Sequence, residues 1–178
     1  MSSLPTALFD RRAAVERLVA AGFPEQQMPQ HWHWDWGQKV PRLRLLTYRG
    51  VGVECAGEMQ GLMLIAAAGH AARLPPEMGQ PIVYIDYVES APWNVPPLAE
   101  EARFGGVGKR LIGVAVRASS DEGFHGRLGP HSLPQAEAFY EQKCGMVRVG
   151  VDPDYESLTY FELTRERAAE ILAGGPGA

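Results

Sequence analysis

Arg103-Phe-Gly-Gly-Val-Gly-Lys-Arg110 lies between a segment that reads as a strand and one that reads as a helix, and its glycines decide how the two are joined. Upstream, Ile82-Val-Tyr-Ile-Asp-Tyr-Val-Glu-Ser90 is dense in β-branched and aromatic residues, a strand composition that Pro92 terminates. Downstream, Val107, Leu111, Ile112, Ala115 and Val116 recur at helical spacing, so the glycines open a helix that packs on the sheet. Glycines lack Cβ and let neighbouring N–H groups converge, while a helix N-terminus adds partial positive charge. Strand, glycine turn and helix in that order make an anion-binding arrangement.

Spacing discriminates among three phosphate motifs. A P-loop needs a glycine, four residues and then Gly-Lys-Ser/Thr, but Arg103 stands at that first glycine and Arg110 where the hydroxyl belongs. A dinucleotide fingerprint begins well with Gly106-Val-Gly108 and then meets Leu111 in place of its third glycine. Arg-x-x-Gly-x-Gly is satisfied by Arg103, Gly106 and Gly108. For so short a match the bland alternative is a glycine-rich turn that holds no ligand.

Working outward, residues 11–21 predict a helix with Ala14, Val15, Leu18 and Val19 on one face, Asp10 as N-cap and Gly22 at its end. His31-Trp-His-Trp-Asp-Trp-Gly37 alternates aromatic and polar residues at a strand-like period and equally suits an aromatic-rich loop. Leu43–Tyr48 and Gly61–Ala67 flank Val51–Met59, whose glycines suit turns, so an antiparallel meander is expected. Gly126–His131 reads as a short strand. Ser132-Leu-Pro-Gln135 has the form of a capping box with proline in the first turn of a helix that ends near Gly145. Leu158–Thr164 alternates as a last strand, and Arg165–Ala173 reads as a terminal helix.

The 178 residues, 46% of them apolar, suit one domain. A net charge of -4 argues against nucleic acid, including an RNA acceptor. Cys55 and Cys144 are too few for a disulfide scaffold or a thiolate metal site and fit a reducing cytosol. Leu62–Ala68, the longest apolar stretch, is far below the ~20 residues of a membrane span. Asp10 and Glu16 interrupt the apolar region that an export signal requires, so a cytoplasmic protein is expected. His31, His33 and Asp35 are ligand types at a spacing of two, but no fourth ligand is signalled and no metal is expected.

Two further signatures flank the turn. Ile85, Val88, Ser90 and Pro92 fill the pattern Ile-x-x-Leu-x-Val-x-Pro with a polar replacement at Ser90. Ala136-Glu-Ala-Phe139-Tyr140-Glu-Gln-Lys-Cys-Gly145-Met146 follows Ala-x-x-Phe-Tyr-Glu-Lys-x-Gly-Phe with one added residue before the glycine. With these in order around Arg-x-x-Gly-x-Gly, the chain resembles the GNAT superfamily of N-acetyltransferases over about residues 43 to 164. It departs from the family in the ten residues between Pro92 and Arg103, where the family has only a few, and in Leu133, where many members have asparagine.

The resemblance implies an α/β (α+β) fold with a mixed, mostly antiparallel central sheet flanked by helices. It implies a single domain: an N-terminal helix and aromatic acceptor-side segment in 1–42, an acyl-CoA-binding core in 43–164, and a C-terminal helix and tail in 165–178. Acetyl-CoA is the implied co-substrate, its diphosphate held by Arg103, Phe104, Gly105, Gly106, Val107, Gly108 and Lys109 and its thioester carbonyl by backbone N–H groups around Val88 and Ser90. Tyr140 matches the family tyrosine placed near the sulfur as proton donor. An alkylamine with a pKa near ~10.4 is almost wholly protonated at pH 7, so a base is also needed. The position at which some members carry a carboxylate is Tyr84 here. Asp86, two residues on, shares its face and is the first choice; Glu89 joins them only if a bulge changes the parity. Trp34, Trp36 and Tyr84 are expected to line the pocket of an amine acceptor, a small molecule or a protein or peptide, while His125 and His131 read as surface or turn residues. A degenerate acyl-CoA-binding sensing or interaction module is the alternative function, and pairing as a homodimer is left open.

Overall fold

The computed structural model describes residues 12–31, 33–96 and 98–174. Two N-terminal helices, α1 (Arg12–Ala20) and the short α2 (Trp36–Lys39), precede β1 (Tyr48–Cys55), β2 (Glu58–Ala66) and β3 (Val83–Ser90). The long α3 (Val107–Asp121), β4 (Leu128–Ser132), β5 (Val147–Asp152), β6 (Leu158–Glu162) and α4 (Arg165–Ala173) complete the order. The strands form one sheet, β1-β2-β3-β4-β6-β5, antiparallel throughout except where β3 meets β4. This is the mixed, mostly antiparallel sheet flanked by helices that the sequence predicts. Among the described residues no helix is long and apolar enough to cross a membrane.

The core lies on the α3 face of the sheet. Met63 and Ile65 of β2, Val83 and Ile85 of β3 and Phe161 of β6 pack against Leu111, Ile112, Ala115 and Val116, the apolar stripe of α3, with Ala168 of α4 closing the far side. Gly61 lets α3 come close: a Cβ there would meet Val107 Cγ1 at 2.7 Å and Glu89 O at 3.0 Å.

The parallel ladder between β3 and β4 is short. It pairs Val83 with Leu128, Tyr84 with Gly129 and Ile85 with Pro130, and there it stops. Pro130 has no N–H to continue it. β4 then pairs with β6 through His131 and Ser132, while residues 86–90 of β3 run on beside β2 alone. The sheet splays at this point.

Several local expectations are corrected. Leu43–Tyr48 is not a strand: residues Val40–Arg44, with Pro41 at the start, wind as a 3-10 helix. The strand begins at Tyr48 and includes Gly50 and Gly52, over which Leu43 and Met59 lie; the tight turn is Ala56-Gly57, with φ of 55° and 77°. Of the two readings left open for the aromatic run, the loop is found: His31 and His33 lie in turns and Asp35 caps α2. Ser132 does not cap the next helix, because its hydroxyl donates to Leu133 O at 2.9 Å. Gln135 instead receives Gln30 N–H and donates to Met28 O. That helix starts as a 3-10 turn, Pro134–Ala136, and passes into a π-turn, Phe139–Lys143, where Cys144 N–H reaches Phe139 O at 3.1 Å. The added residue before Gly145 is absorbed in this wider turn. β5 is a strand that the sequence reading passes over. Asp10, the expected cap of α1, lies outside the described residues.

Gly61→Val is expected to destabilise the fold by about 1–3 kcal/mol through overpacking between β2 and α3. Chemical denaturation should show a lower midpoint with an unchanged m-value; an unchanged midpoint would refute the close approach.

Candidate active site

Where β3 leaves β4, a cleft of ≈ 1150 Å³ opens, walled by β3, the start of α3, the helical turn that carries Tyr140, and the aromatic segment before α2. One end is the glycine turn. Gly106 takes a left-handed φ of 75° that turns the chain into α3, and a Cβ on Gly108 would strike the Phe139 ring at 2.9 Å. The first helical bond from this turn is Arg110 N–H to Gly106 O at 3.1 Å. The N–H groups of residues 105–109 donate to no acceptor among the described residues, and nothing lies within 4 Å of where Cβ atoms on Gly105 and Gly106 would be. Five consecutive donors therefore face the cleft at a helix N-terminus, with Lys109 beside them.

Two members of the predicted set differ. Phe104 N–H is taken by Asn94 Oδ1 at 2.9 Å. Arg103 turns away from the cleft to Glu58 at 3.1 Å, its guanidinium 5.9 Å from the Trp93 ring. Asn94 is itself held by Gln60, which is 1% exposed and accepts from Trp93 Nε1 at 2.8 Å and Asn94 Nδ2 at 3.0 Å. The long segment after Pro92 is thus pinned to β2 by the amide of Gln60, which belongs to no motif.

β3 carries a bulge. Leu64 pairs with Tyr87 but Ile65 with Ile85, so Asp86 is the extra residue. Ile85 and Val88 then face α3, and Tyr84, Tyr87 and Glu89 share the other face. Ala91 N–H bonds to Gln60 O on β2 at 2.8 Å, and alternation turns the N–H groups of Ser90 and Val88 to the side that β4 has left.

Both predicted carboxylates reach the cleft and both are engaged. Asp86 is ion-paired with Arg42. Glu89, buried, accepts from Trp36 Nε1 at 2.5 Å. Trp36 packs on Leu62 and Ala91 behind that carboxylate and does not line the cleft, contrary to expectation. Trp34 does line it, edge-on to Tyr87 with centroids 5.0 Å apart. Lys39 Nζ lies 3.3 Å from the Tyr87 ring centroid and 4.6 Å from that of Trp34. Burial, reinforced by Arg42 and opposed by Asp86 and Asp35, lowers its amine to about 8. Tyr140 is buried on the other wall between Phe139 and Phe161, and burial raises its phenol well above the usual value.

Tyr84 and His131 meet on the cleft floor, the hydroxyl 2.9 Å from Nδ1. The His131 side chain is 3% exposed, which corrects its reading as a surface residue; His125 does sit exposed in a turn with φ of 55°. Among the described residues no group of three His, Cys, Asp or Glu is placed to hold a metal.

No family model matches the chain, and no curated protein matches it in sequence. Solved structures do match in shape. An aminoglycoside 6'-acetyltransferase type Ii is similar at a TM-score of 0.53 and 15% identity, covering 88% of this chain and 94% of that one. AtaTR bound with AcCoA is similar at 0.52 and 16% identity, covering 76% and 80%. A protein from Desulfovibrio desulfuricans assigned to the GNAT family is similar at 0.53 and 16% identity, covering 88% and 92%. The chain has the GNAT fold.

Because burial lowers its amine from 10.5 to about 8, Lys39 should react with an amine-selective acylating reagent with a midpoint near pH 8. Labelling followed by peptide mass spectrometry checks this; a midpoint at the ordinary lysine value would mean that Lys39 is solvated.

Proposed function

We propose that the chain is an acetyl-CoA-dependent N-acetyltransferase that acylates a primary amine of a small molecule, protein or peptide. The observation that carries this reading is the row of five backbone donors at 105–109, opening on a cleft that exists because β3 and β4 part. The donors suit a diphosphate: the helix N-terminus favours negative charge, and the glycines leave room for phosphate oxygens against the backbone. The shared fold with an aminoglycoside acetyltransferase and with a structure that holds AcCoA supports the same reading.

Each wall then has a task. The diphosphate sits on Gly105, Gly106, Val107, Gly108 and Lys109, with Phe104 and Arg103 serving the turn's own structure. The outward N–H groups of Val88 and Ser90 receive the thioester carbonyl and the charge it gains on attack. Tyr140, held protonated by burial, gives its proton to the departing sulfur. Trp34 and Tyr87 present ring faces, and Asp86 and Glu156 carboxylates, to the acceptor, which favours a cationic amine. Neither cysteine is a covalent carrier: Cys55 is exposed at the end of β1, and burial pushes the Cys144 thiol up to about 12. Transfer is therefore direct, with both substrates bound together.

A degenerate acyl-CoA-binding module is the second reading, favoured by the hold of Arg42 on Asp86. Calorimetry with acetyl-CoA and thiol release over an amine panel separate the two, since a module binds without turnover. In the enzyme, Tyr140→Phe should slow turnover by about 10- to 100-fold with acetyl-CoA affinity unchanged. Equal turnover in both forms would remove Tyr140 from the chemistry, and no uptake of acetyl-CoA would remove both readings.

A further inference from the structure

A line of polar side chains crosses the cleft floor and takes no part in holding the coenzyme. Tyr84 Oη lies 2.9 Å from His131 Nδ1, His131 Nε2 lies 3.0 Å from Asp152 Oδ2, and Arg73 donates to that same oxygen at 2.6 Å. Asp152 Oδ1 accepts Asp154 N–H at 3.1 Å. An ionised carboxylate only accepts, so Nε2 carries the ring proton, Nδ1 presents its lone pair, and the Tyr84 hydroxyl donates to it. The line has a direction: a proton leaving Tyr84 is taken by His131 Nδ1, and the charge it brings to the ring is faced by Asp152 across Nε2–H.

We propose that Tyr84 and His131 are the proton exit for the acceptor amine, with Asp152 as the positioning residue that sets the His131 tautomer. The inference rests on the acetyl-transfer reading above. The acceptor enters as an ammonium. One proton passes to Tyr84 Oη as Tyr84's own proton moves to His131 Nδ1, leaving a neutral amine and an imidazolium against the Asp152 carboxylate. The nitrogen then bonds to the acetyl carbon and the C–S bond breaks. Sulfur takes its proton from Tyr140, and the surplus proton on nitrogen restores Tyr140. Once the product has left, His131 returns its Nδ1 proton through Tyr84 to water in the cleft. The balance is ammonium plus acetyl-CoA giving amide, CoA thiol and one proton.

The surroundings suit these roles. Burial, aided by Asp86, raises the Tyr84 phenol far above its usual value, so Tyr84 exchanges a proton without persisting as a phenolate. Burial lowers His131 below the ordinary 6.5; Asp152 opposes this, and Arg73 reinforces it. The ring is thus neutral and able to accept at pH 7. The other groups against it are Tyr155, stacked at 4.0 Å, and Tyr160, at 4.8 Å, while His70, lowered chiefly by burial, stacks on Tyr84 at 4.2 Å. Tyr84 and Tyr140 both line the cleft, one on its floor and one on its other wall. Asp86 and Glu89, the carboxylates on the same face, are committed to Arg42 and Trp36.

The test compares kcat/KM against pH for the wild type, Tyr84→Phe and His131→Asn, with the best amine of the panel and with acetyl-CoA affinity measured by calorimetry in each. Protonation of His131 blocks the exit, so wild-type kcat/KM should fall as pH drops below 6.5. Tyr84→Phe, which removes one oxygen and keeps the ring packing, should lower kcat by about 100-fold, bind acetyl-CoA as the wild type does, and lose that acid limb. His131→Asn should do the same. Wild-type turnover and an unchanged acid limb in Tyr84→Phe would overturn the relay while leaving acetyl transfer standing. A wild type that binds acetyl-CoA yet releases no thiol with any amine would overturn the transfer reading, and the relay with it.

Discussion

Everything at the cleft depends on the end of one ladder. β3 and β4 run parallel for three pairs and separate where Pro130 offers no N–H and Asp86 is extruded as a bulge. A sheet that stayed paired would bury the N–H groups of Val88 and Ser90 in β4. Parting the strands leaves those donors directed into a space, and unpaired donors are costly unless something accepts from them. The neighbouring segments settle that space on three sides: α3 through its glycine turn, the π-turn that carries Tyr140, and the aromatic run that precedes α2. The bulge has a second effect, because it restores Glu89 to the face of Tyr84 and Tyr87.

Burial divides the cleft into two electrical halves. At the glycine turn, five N–H groups and the N-terminus of α3 supply positive potential with Lys109 at its edge. Elsewhere on the cleft lining Asp86, Asp154 and Glu156 bring negative charge among Trp34, Tyr87 and Tyr155. Lys39 and Arg42, delivered by α2 and the 3-10 turn after it, lie against those rings and Asp86. They occupy the kind of ground that a cationic acceptor would seek, so an acceptor must either share the aromatic wall with Lys39 or displace it.

The fold was legible in the sequence because its signals are local. The β-branched and aromatic run of 82–90, the glycine turn and the apolar stripe of α3 each depend on neighbouring residues, and each is found where expected. Local rules failed where a partner distant in sequence decides. Leu43–Tyr48 has strand composition but Pro41 starts a 3-10 turn, and Leu43 finds its packing over Gly50. Ser132 has the cap signature, yet Gln135 spends its side chain on residues 28 and 30, far away in the chain. β5 did carry a signal, Val147, Val149 and Val151 in alternation, on an edge strand whose valines are largely exposed. Within the site, Gly106, Gly108, Asp86 and Tyr140 could be named from motif and parity. Gln60 and Asn94 could not, and though Tyr84 was expected in the cleft, the line from it could not be read, because His131, Asp152 and Arg73 lie on three separate elements and meet only through the strand order β3-β4-β6-β5.

That line also bears on why the parted strands do not drift. Asp152 is a nearly buried carboxylate whose partners come from the loop after β2, from β4 and from its own turn: Arg73, His131 and Asp154 N–H. Arg73 N–H and Leu74 N–H in addition bond to buried Glu162 at 2.7 and 3.2 Å, and the Arg73 guanidinium lies 4.1 Å from the Tyr160 ring. In this network the Arg73 side chain that pairs with Asp152 is 42% exposed, so water screens the attraction and the pair adds little net stability. The network's effect is therefore on geometry more than on stability. It fixes β4 and β6 to the loop that leads into β3, and so sets the width of the opening at the end where the ladder still holds. The same hydrogen bonds that fix the floor of the cleft also fix which nitrogen of His131 faces Tyr84, so shape and proton affinity at this point have a common cause.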